Sequence, residues 1–219
     1  MGGRGAKSRG HGGSGITVKS SESLISLRNE GKRVEADQVL TVLRNVERDF
    51  GVTVGDARVE KLGRGDRSVL AYMYRGSGDL GFNRRFFDDA NATKAYDACV
   101  KAGYHPSRGK KSSIEAIAAH ELGHRMNYIA AESVGKDMDV VAKNIVTAAA
   151  QRLYGSRYKA GTSEARLQGR VSGYAKESAA ECVSEAYADY YCNGAKARAS
   201  SRAVVDELKA YLKQGPRKK

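Results

Sequence analysis

Two histidines and a glutamate stand at the spacing of a metal site. Residues 120–124 read His-Glu-Leu-Gly-His, an H-E-x-x-H motif. Residues four apart on a helix share one face, so His120 and His124 would present both imidazoles to the same side. Imidazole nitrogens are common ligands of Zn²⁺. Glu121 lies about 100° around such a helix from His120, where it can act as a general base toward water at the metal. The alternative is an ordinary surface helix with two solvated histidines.

A catalytic zinc needs a third protein ligand and one open position. No histidine follows His124, which excludes the classes of zinc site that use a downstream histidine. His105 precedes Pro106 and is interpreted as a turn residue rather than a ligand. A carboxylate on a later helix is therefore expected, and one segment offers four acids, each one helical turn after the last: Glu177, Glu181, Glu185 and Asp189. Spacing alone does not choose among them, and a solvated acidic face is the alternative.

The motifs together resemble a known family. HELGH is followed by Tyr174, and seven residues later by Glu181, which opens the run Glu-Cys-Val-Ser-Glu-Ala-Tyr. This pattern resembles the gluzincin zinc metallopeptidases, among them the catalytic domain of anthrax lethal factor, and it extends over about residues 112–192. The small size and glycine-rich start are also similar to zincin-like proteins encoded by bacteriophages and mobile elements.

The resemblance to gluzincins implies a role for each matching residue. The implied zinc ligands are His120, His124 and Glu181. Glu121 would be the general base, and Glu185 would support a ligand histidine. Tyr174 would donate a hydrogen bond to the oxyanion of the tetrahedral intermediate, where a preorganised donor lowers the barrier to acyl hydrolysis. Glu177 and Asp189 match no functional position of the family.

The elements that would position these residues indicate an α+β fold. We expect a zincin-like arrangement, with a small N-terminal sheet and a metal-binding helix followed by a mostly helical C-terminal half. Ser112 and Glu115 form an S-x-x-E capping box at the start of the metal-binding helix. Helices are predicted at 34–50, 91–103, 112–132, 137–153, 176–192 and 199–213. Strands are predicted at 52–54, 68–74 and 80–87, and a long loop at 155–173.

The strand predicted at 80–87 is a candidate for the edge of a substrate cleft. Zincins usually place an edge strand along the substrate cleft, just before the metal-binding helix. If 80–87 is that strand, Arg84 and Arg85 alternate between cleft and solvent, and a peptide can add to its edge as a further strand. A plain structural strand is the alternative.

Length and composition limit the class of protein. The 219 residues contain 41% hydrophobic and 29% charged residues, typical of a globular chain. We expect a flexible Gly-rich basic arm at 1–20, a single metallopeptidase domain at 21–215 and a basic tail at 216–219. No apolar run approaches the roughly 18 residues of a membrane-spanning helix. Three cysteines without C-x-x-C spacing argue against a zinc ribbon or a disulfide framework and fit a reducing compartment: Cys99, Cys182 and Cys192.

Two functions are compatible with these observations. The first is a zinc-dependent endopeptidase that acts on a protein or peptide substrate. The second is a nucleic-acid- or virion-associated binding protein with a structural or degenerate zinc site. It is supported by the net charge of +13, about half of which lies in the arm and the tail. The N-terminus has no apolar stretch typical of a secretory signal. We therefore expect a cytoplasmic protein, in a bacterial host cell or packaged into a virion, with no membrane partner.

Overall fold

The computed structural model describes residues 16–18, 32–54, 56–66 and 68–213. These residues form an α+β structure, in which a small mixed sheet near the N-terminal end is followed by a mostly helical C-terminal half. The expected fold class is confirmed. The predicted arm lies outside the described residues except for 16–18, which form a strand, and the predicted tail lies outside them entirely.

The sheet contains four short strands in the described residues. They are β1 (Ile16–Val18), β2 (Ala57–Glu60), β3 (Ala71–Met73) and β4 (Leu80–Asn83). Their order across the sheet is β1-β2-β4-β3. β4 runs parallel to β2 and antiparallel to β3, while β1 pairs antiparallel with β2. All four residues of β4 are buried, as expected for an inner strand that is covered on both faces.

The expectation of an edge strand at 80–87 is wrong. β4 is hydrogen-bonded to a neighbour on each side, so no substrate strand can add along it. It also ends early, because the Asn83 side chain organises a turn: its Oδ1 accepts from the Arg85 N–H, and its Nδ2 donates to the Val69 carbonyl. Arg84 and Arg85 are exposed in that turn rather than placed along a strand.

The strand predicted at 52–54 is also wrong, and the true strand β2 begins at Ala57. Its central residues alternate charged and apolar, and the charged positions are held by partners from elsewhere in the chain. Arg58 pairs with Asp79 at 3.1 Å. The Glu60 carboxylate accepts hydrogen bonds from the Tyr72 and Tyr74 hydroxyls. None of these partners is local in sequence, which explains why β2 gave no strand signal.

Two helices accompany the sheet, α1 (Arg33–Phe50) and α2 (Asp89–Lys101). α1 buries one apolar stripe, Ala36, Val39, Leu40, Val42, Leu43 and Val46. It ends where predicted, because Gly51 adopts a left-handed conformation at φ 65° and its N–H caps the Glu47 carbonyl. Lys32 pairs with Asp88 at 2.8 Å, just ahead of α2.

The C-terminal half is built from α4 (Met138–Tyr154), α5 (Thr162–Val171), α6 (Ala179–Asn193) and α7 (Ala199–Leu212). α6 packs against α4 and α7, and α5 also contacts α4. The long loop predicted at 155–173 is wrong, because α5 occupies most of it. α5 buries little apart from Leu167 and Val171, so its apolar face was too narrow to indicate a helix. No helix in the described ranges combines the length and hydrophobicity needed to cross a lipid bilayer.

Candidate metal centre

The H-E-x-x-H motif lies in α3 (Ser113–Val134), a helix of 22 residues. The predicted capping box is present at its start. The Glu115 N–H donates to Ser112 Oγ at 3.1 Å, and the Ser112 N–H donates to Glu115 Oε2 at 3.0 Å. Farther along, Ser113 Oγ contacts Thr93 Oγ1 at 3.2 Å, and Arg125 donates to the Ser77 carbonyl. The helix is thus anchored on both sides of the two histidines.

Helical spacing brings the two imidazoles together as expected. The ring centroids of His120 and His124 are 5.0 Å apart, with the ring planes at 79°. Both histidines are half-buried, and Glu121 is buried with 6% of its surface exposed. A pair of imidazoles one turn apart can bind one metal ion, with Glu121 next in the chain to the first of them.

Glu181 lies in the first turn of α6. Ser178 is the N-cap, and its Oγ accepts from the Glu181 N–H at 3.0 Å. The sequence Ser-Ala-Ala-Glu at 178–181 is an S-x-x-E pattern that sequence analysis overlooked. The cap holds the backbone of Glu181 in place, and the helix N-terminus favours a negatively charged carboxylate there. Glu181 is 9% exposed.

The structure brings three predicted ligands into one group. Each of these residues offers one ligand atom, and the three atoms lie within 4.8 Å of one another: His120, His124 and Glu181. Ligand atoms bound tetrahedrally to zinc at 2.0–2.1 Å would be about 3.4 Å apart, a separation compatible with atoms that lie within 4.8 Å of one another. Two imidazoles and one carboxylate are a donor set of catalytic zinc sites, with a fourth position left for water or substrate. The residues therefore fit a zinc ion.

The other three acids of the stripe have different surroundings. Glu177 is exposed and precedes α6. Glu185 is almost fully buried, with 1% of its side chain accessible. Asp189 accepts from Asn193 Nδ2 at 2.8 Å and from the Arg198 N–H at 3.0 Å, so it links the end of α6 to the start of α7. These contacts distinguish acids that the sequence spacing left equivalent.

His105 belongs to a buried group that sequence analysis missed. Its Nδ1 lies 3.0 Å from Glu185 Oε1, and its ring contacts Tyr104 and Tyr174 at centroid distances of 5.3 and 5.6 Å. Tyr174 is 3% exposed, and its N–H donates to the Tyr104 carbonyl at 2.9 Å. The segments around residues 104 and 174 are therefore held together by backbone and ring contacts. His105 is 80 residues from Glu185, so no local pattern could have indicated the pair.

Two pKa shifts describe the electrostatics of this group. Burial raises the pKa of Tyr104, and the negative charges of Glu177 and Glu181 raise it further. The pKa of the Cys99 thiol is lowered because it is hydrogen-bonded to His105, although burial acts in the opposite direction. Acidic charge is thus concentrated near Tyr104, and a polarised thiol stands beside the buried histidine.

Comparison with known proteins assigns this chain to no family. No protein-family model, curated protein or solved structure matches it. The described residues bring together the two histidines of α3 and Glu181, with Glu121 adjacent in sequence on the same helix. Glu185 and Tyr174 both contact His105. Inference about function therefore depends on the chemistry of these groups.

Proposed function

We propose that the protein is a zinc-dependent endopeptidase. The observation that carries the proposal is the group formed by His120, His124 and Glu181, whose ligand atoms lie within 4.8 Å of one another. It supports a site with three protein ligands and one open position, and Glu121 follows the first ligand directly on α3. Structural zinc sites use four protein ligands, so a group with three ligands among the described residues favours catalysis.

Proton transfer, oxyanion stabilisation and metal binding would each be carried out by different residues of the chain. A bound Zn²⁺ ion would lower the pKa of water and polarise the scissile carbonyl. Glu121 accepts a proton from the attacking water and returns it to the leaving amine. Tyr174 is the proposed donor to the oxyanion that develops on the carbonyl oxygen when water attacks the carbonyl carbon. His120, His124 and Glu181 would hold the ion.

The proposed substrate is a peptide or protein, and the proposed site of action is the cytoplasm. All three cysteines of the chain are free thiols, which supports a reducing compartment: Cys99, Cys182 and Cys192. A disulfide-forming compartment would be expected to oxidise exposed or half-buried thiols. Cys99 and Cys192 are half-buried, whereas Cys182 is fully buried.

The proposal is tested with Glu121→Gln in the full chain, loaded with zinc. Cleavage of a random-sequence peptide mixture is followed by mass spectrometry, and zinc content is measured on the same samples. The variant keeps the ligands, so we expect it to retain zinc and lose cleavage by about 10²-fold or more, as for removal of a general base. Glu132→Gln is the matched control, because Glu132 is exposed on the same helix. It should cleave like the wild type.

Two results would contradict the proposal. Wild-type rates in Glu121→Gln would remove this residue as the general base. A zinc-loaded wild-type chain that cleaves no peptide in the mixture would exclude a broad endopeptidase. A chelator should abolish cleavage, and added zinc should restore it. Cleavage that persists after chelation would point to a contaminating protease.

A further inference from the structure

Three arginines and a tyrosine line a small surface cavity in the C-terminal half. The cavity has a volume of about 230 Å³ and lies among the end of α4, the turn at 155–157 and α5. Its lining residues are Leu153, Tyr154, Arg157, Arg166 and Arg170. We call it the arginine cavity. None of these residues is among the proposed metal ligands.

The positive charges of the arginine cavity are not balanced by the protein. Among the described residues, no carboxylate lies within ion-pair distance of Arg157, Arg166 or Arg170. By contrast, nearby Arg152 pairs with both Asp206 and Glu207.

Two of these exposed arginines also stand at a spacing where like charges repel each other. Arg166 and Arg170 are four residues apart on α5, where two like charges destabilise a helix. The turn at 155–157 adds a third guanidinium to the same cavity. A set of like charges held together without counter-charges is the arrangement expected where an anion binds.

One of the lining residues, Tyr154, carries a buried hydroxyl. Tyr154 Oη is inaccessible to water and has no hydrogen-bond partner in the described structure. The guanidinium of Arg170 lies over the Tyr154 ring, 5.8 Å from its centroid. A buried hydroxyl that makes no hydrogen bond carries a desolvation cost, which an acceptor oxygen removes if the Tyr154 side chain turns its hydroxyl toward the ligand. The lining thus combines three cationic donors with one hydroxyl, and among the described residues it contains no carboxylate.

We propose that the arginine cavity binds a dianionic phosphate group, as carried by a phosphate monoester. Guanidinium groups match phosphate oxygens with paired, charge-assisted hydrogen bonds. The volume is below the 300–1,000 Å³ typical of pockets for drug-sized ligands, so it suits one small group better than an extended molecule. Two negative charges balance three guanidiniums better than the single charge of a phosphodiester does. The bound group is therefore a terminal phosphate rather than a nucleic-acid backbone.

The test is isothermal titration calorimetry of the full chain at constant ionic strength. The probes are phenyl phosphate, inorganic phosphate, dimethyl phosphate, which carries a single charge, and a short DNA duplex. The cavity variant is Arg166→Gln/Arg170→Gln. The control, Arg33→Gln/Arg48→Gln, removes the same charge from α1, where the side chains are 74% and 70% exposed. Tyr154→Phe removes only the hydroxyl and keeps every charge.

We expect phenyl phosphate to bind with one site per chain. The cavity variant should weaken this binding by about tenfold or more, since each lost charge-assisted hydrogen bond contributes that much. The α1 control should bind like the wild type, and Tyr154→Phe should bind less tightly. Equal affinity for inorganic phosphate would show that the anion alone is recognised, whereas weaker binding would show that the group attached to it contributes. Both results support the proposal.

Three results would overturn the proposal. One is the absence of phenyl phosphate binding. Another is equal binding by the cavity variant and the wild type. The third is binding of dimethyl phosphate or a short DNA duplex more tightly than phenyl phosphate, lost in the cavity variant, which would assign the arginines to a nucleic acid. Thermal unfolding in phosphate-free buffer checks the fold: removing the repulsion between Arg166 and Arg170 should leave the cavity variant at least as stable as the wild type.

Discussion

Two serine caps of the same chemistry begin the helices that carry the proposed zinc ligands. Ser112 Oγ accepts from the Glu115 N–H at 3.1 Å at the start of α3, and Ser178 Oγ accepts from the Glu181 N–H at 3.0 Å at the start of α6. Replacing either serine by alanine removes one capping hydrogen bond. Such a loss costs about 1 kcal/mol of stability. For a chain of this size, that lowers the melting temperature by about 2–4 °C. We expect this shift in both variants, measured by circular dichroism on the zinc-free full chain.

The two variants should differ in zinc affinity, because only Ser178 caps a residue that is a proposed ligand, Glu181. Loosening the first turn of α6 can cost zinc binding no more than the cap contributes, about 1 kcal/mol. That corresponds to an increase of up to about fivefold in the zinc dissociation constant of Ser178→Ala. Ser112 lies two turns before His120, so Ser112→Ala should bind zinc like the wild type. Competition with a chromophoric chelator measures both constants.

Equal weakening of zinc binding in both serine variants would refute this reasoning, since the loss would then reflect general destabilisation. A zinc dissociation constant for Ser178→Ala that matches the wild type, together with the expected drop in melting temperature, would also refute it. In that case the cap stabilises α6 without positioning Glu181.

Further predictions concern the thiols and the packing of the sheet. The pKa of Cys99 is lowered, so this thiol keeps a thiolate population to lower pH than an ordinary thiol, whereas burial raises the pKa of Cys182. Iodoacetamide at neutral pH should therefore label Cys99 first, as measured by peptide mass spectrometry. Earlier labelling of Cys182 would contradict its burial. Gly78→Ala should lower the free energy of unfolding by about 1–3 kcal/mol, because Gly78 has φ 72° and an added Cβ would collide with the Arg125 guanidinium. An unchanged denaturation midpoint would argue against the left-handed conformation of Gly78. Leu80→Ala in β4, at a side chain 1% exposed, should cost about 2–5 kcal/mol in denaturant unfolding, and a loss under 1 kcal/mol would mean that β4 is not in the core.

Features that depend on neighbouring residues could be predicted from the sequence. The capping box of Ser112 and Glu115, the end of α1 at Gly51 and the shared face of His120 and His124 all follow from spacings of three or four residues. Each is a property of one helix, and helix geometry is nearly constant. The α+β class followed from the order of such local signals along the chain.

Features that depend on distant partners could not be predicted. The charged residues of β2 are compatible with a strand because Asp79 and the Tyr72 and Tyr74 hydroxyls pair with them. β4 is an inner strand because β2 pairs with the side of β4 that its near neighbour β3 leaves open, with Ala57 opposite Leu80. His105 lies in a bend, as its position before Pro106 predicts, but its partner Glu185 lies on a helix 80 residues away and no local pattern indicates that contact.

The four acids of the α6 stripe show the same limit within the candidate site. Their one-turn spacing made them equivalent in sequence, whereas the structure gives each a different environment. Glu177 is exposed, Glu185 contacts His105, Asp189 links α6 to α7, and Glu181 joins the histidine pair. The tertiary surroundings of each carboxylate, rather than its spacing, distinguish the proposed ligand.

The most direct test of the proposed metal centre is the zinc content of three purified full-length proteins. They are the wild type, Glu181→Ala and Glu177→Ala, prepared identically and analysed by elemental analysis after removal of loosely bound metal. Glu177 is the matched control, because it is an exposed glutamate one helical turn before the proposed ligand. We predict about one zinc per chain in the wild type and in Glu177→Ala, and a sharp loss in Glu181→Ala. Full zinc content in Glu181→Ala, or none in the wild type, would contradict the proposed site.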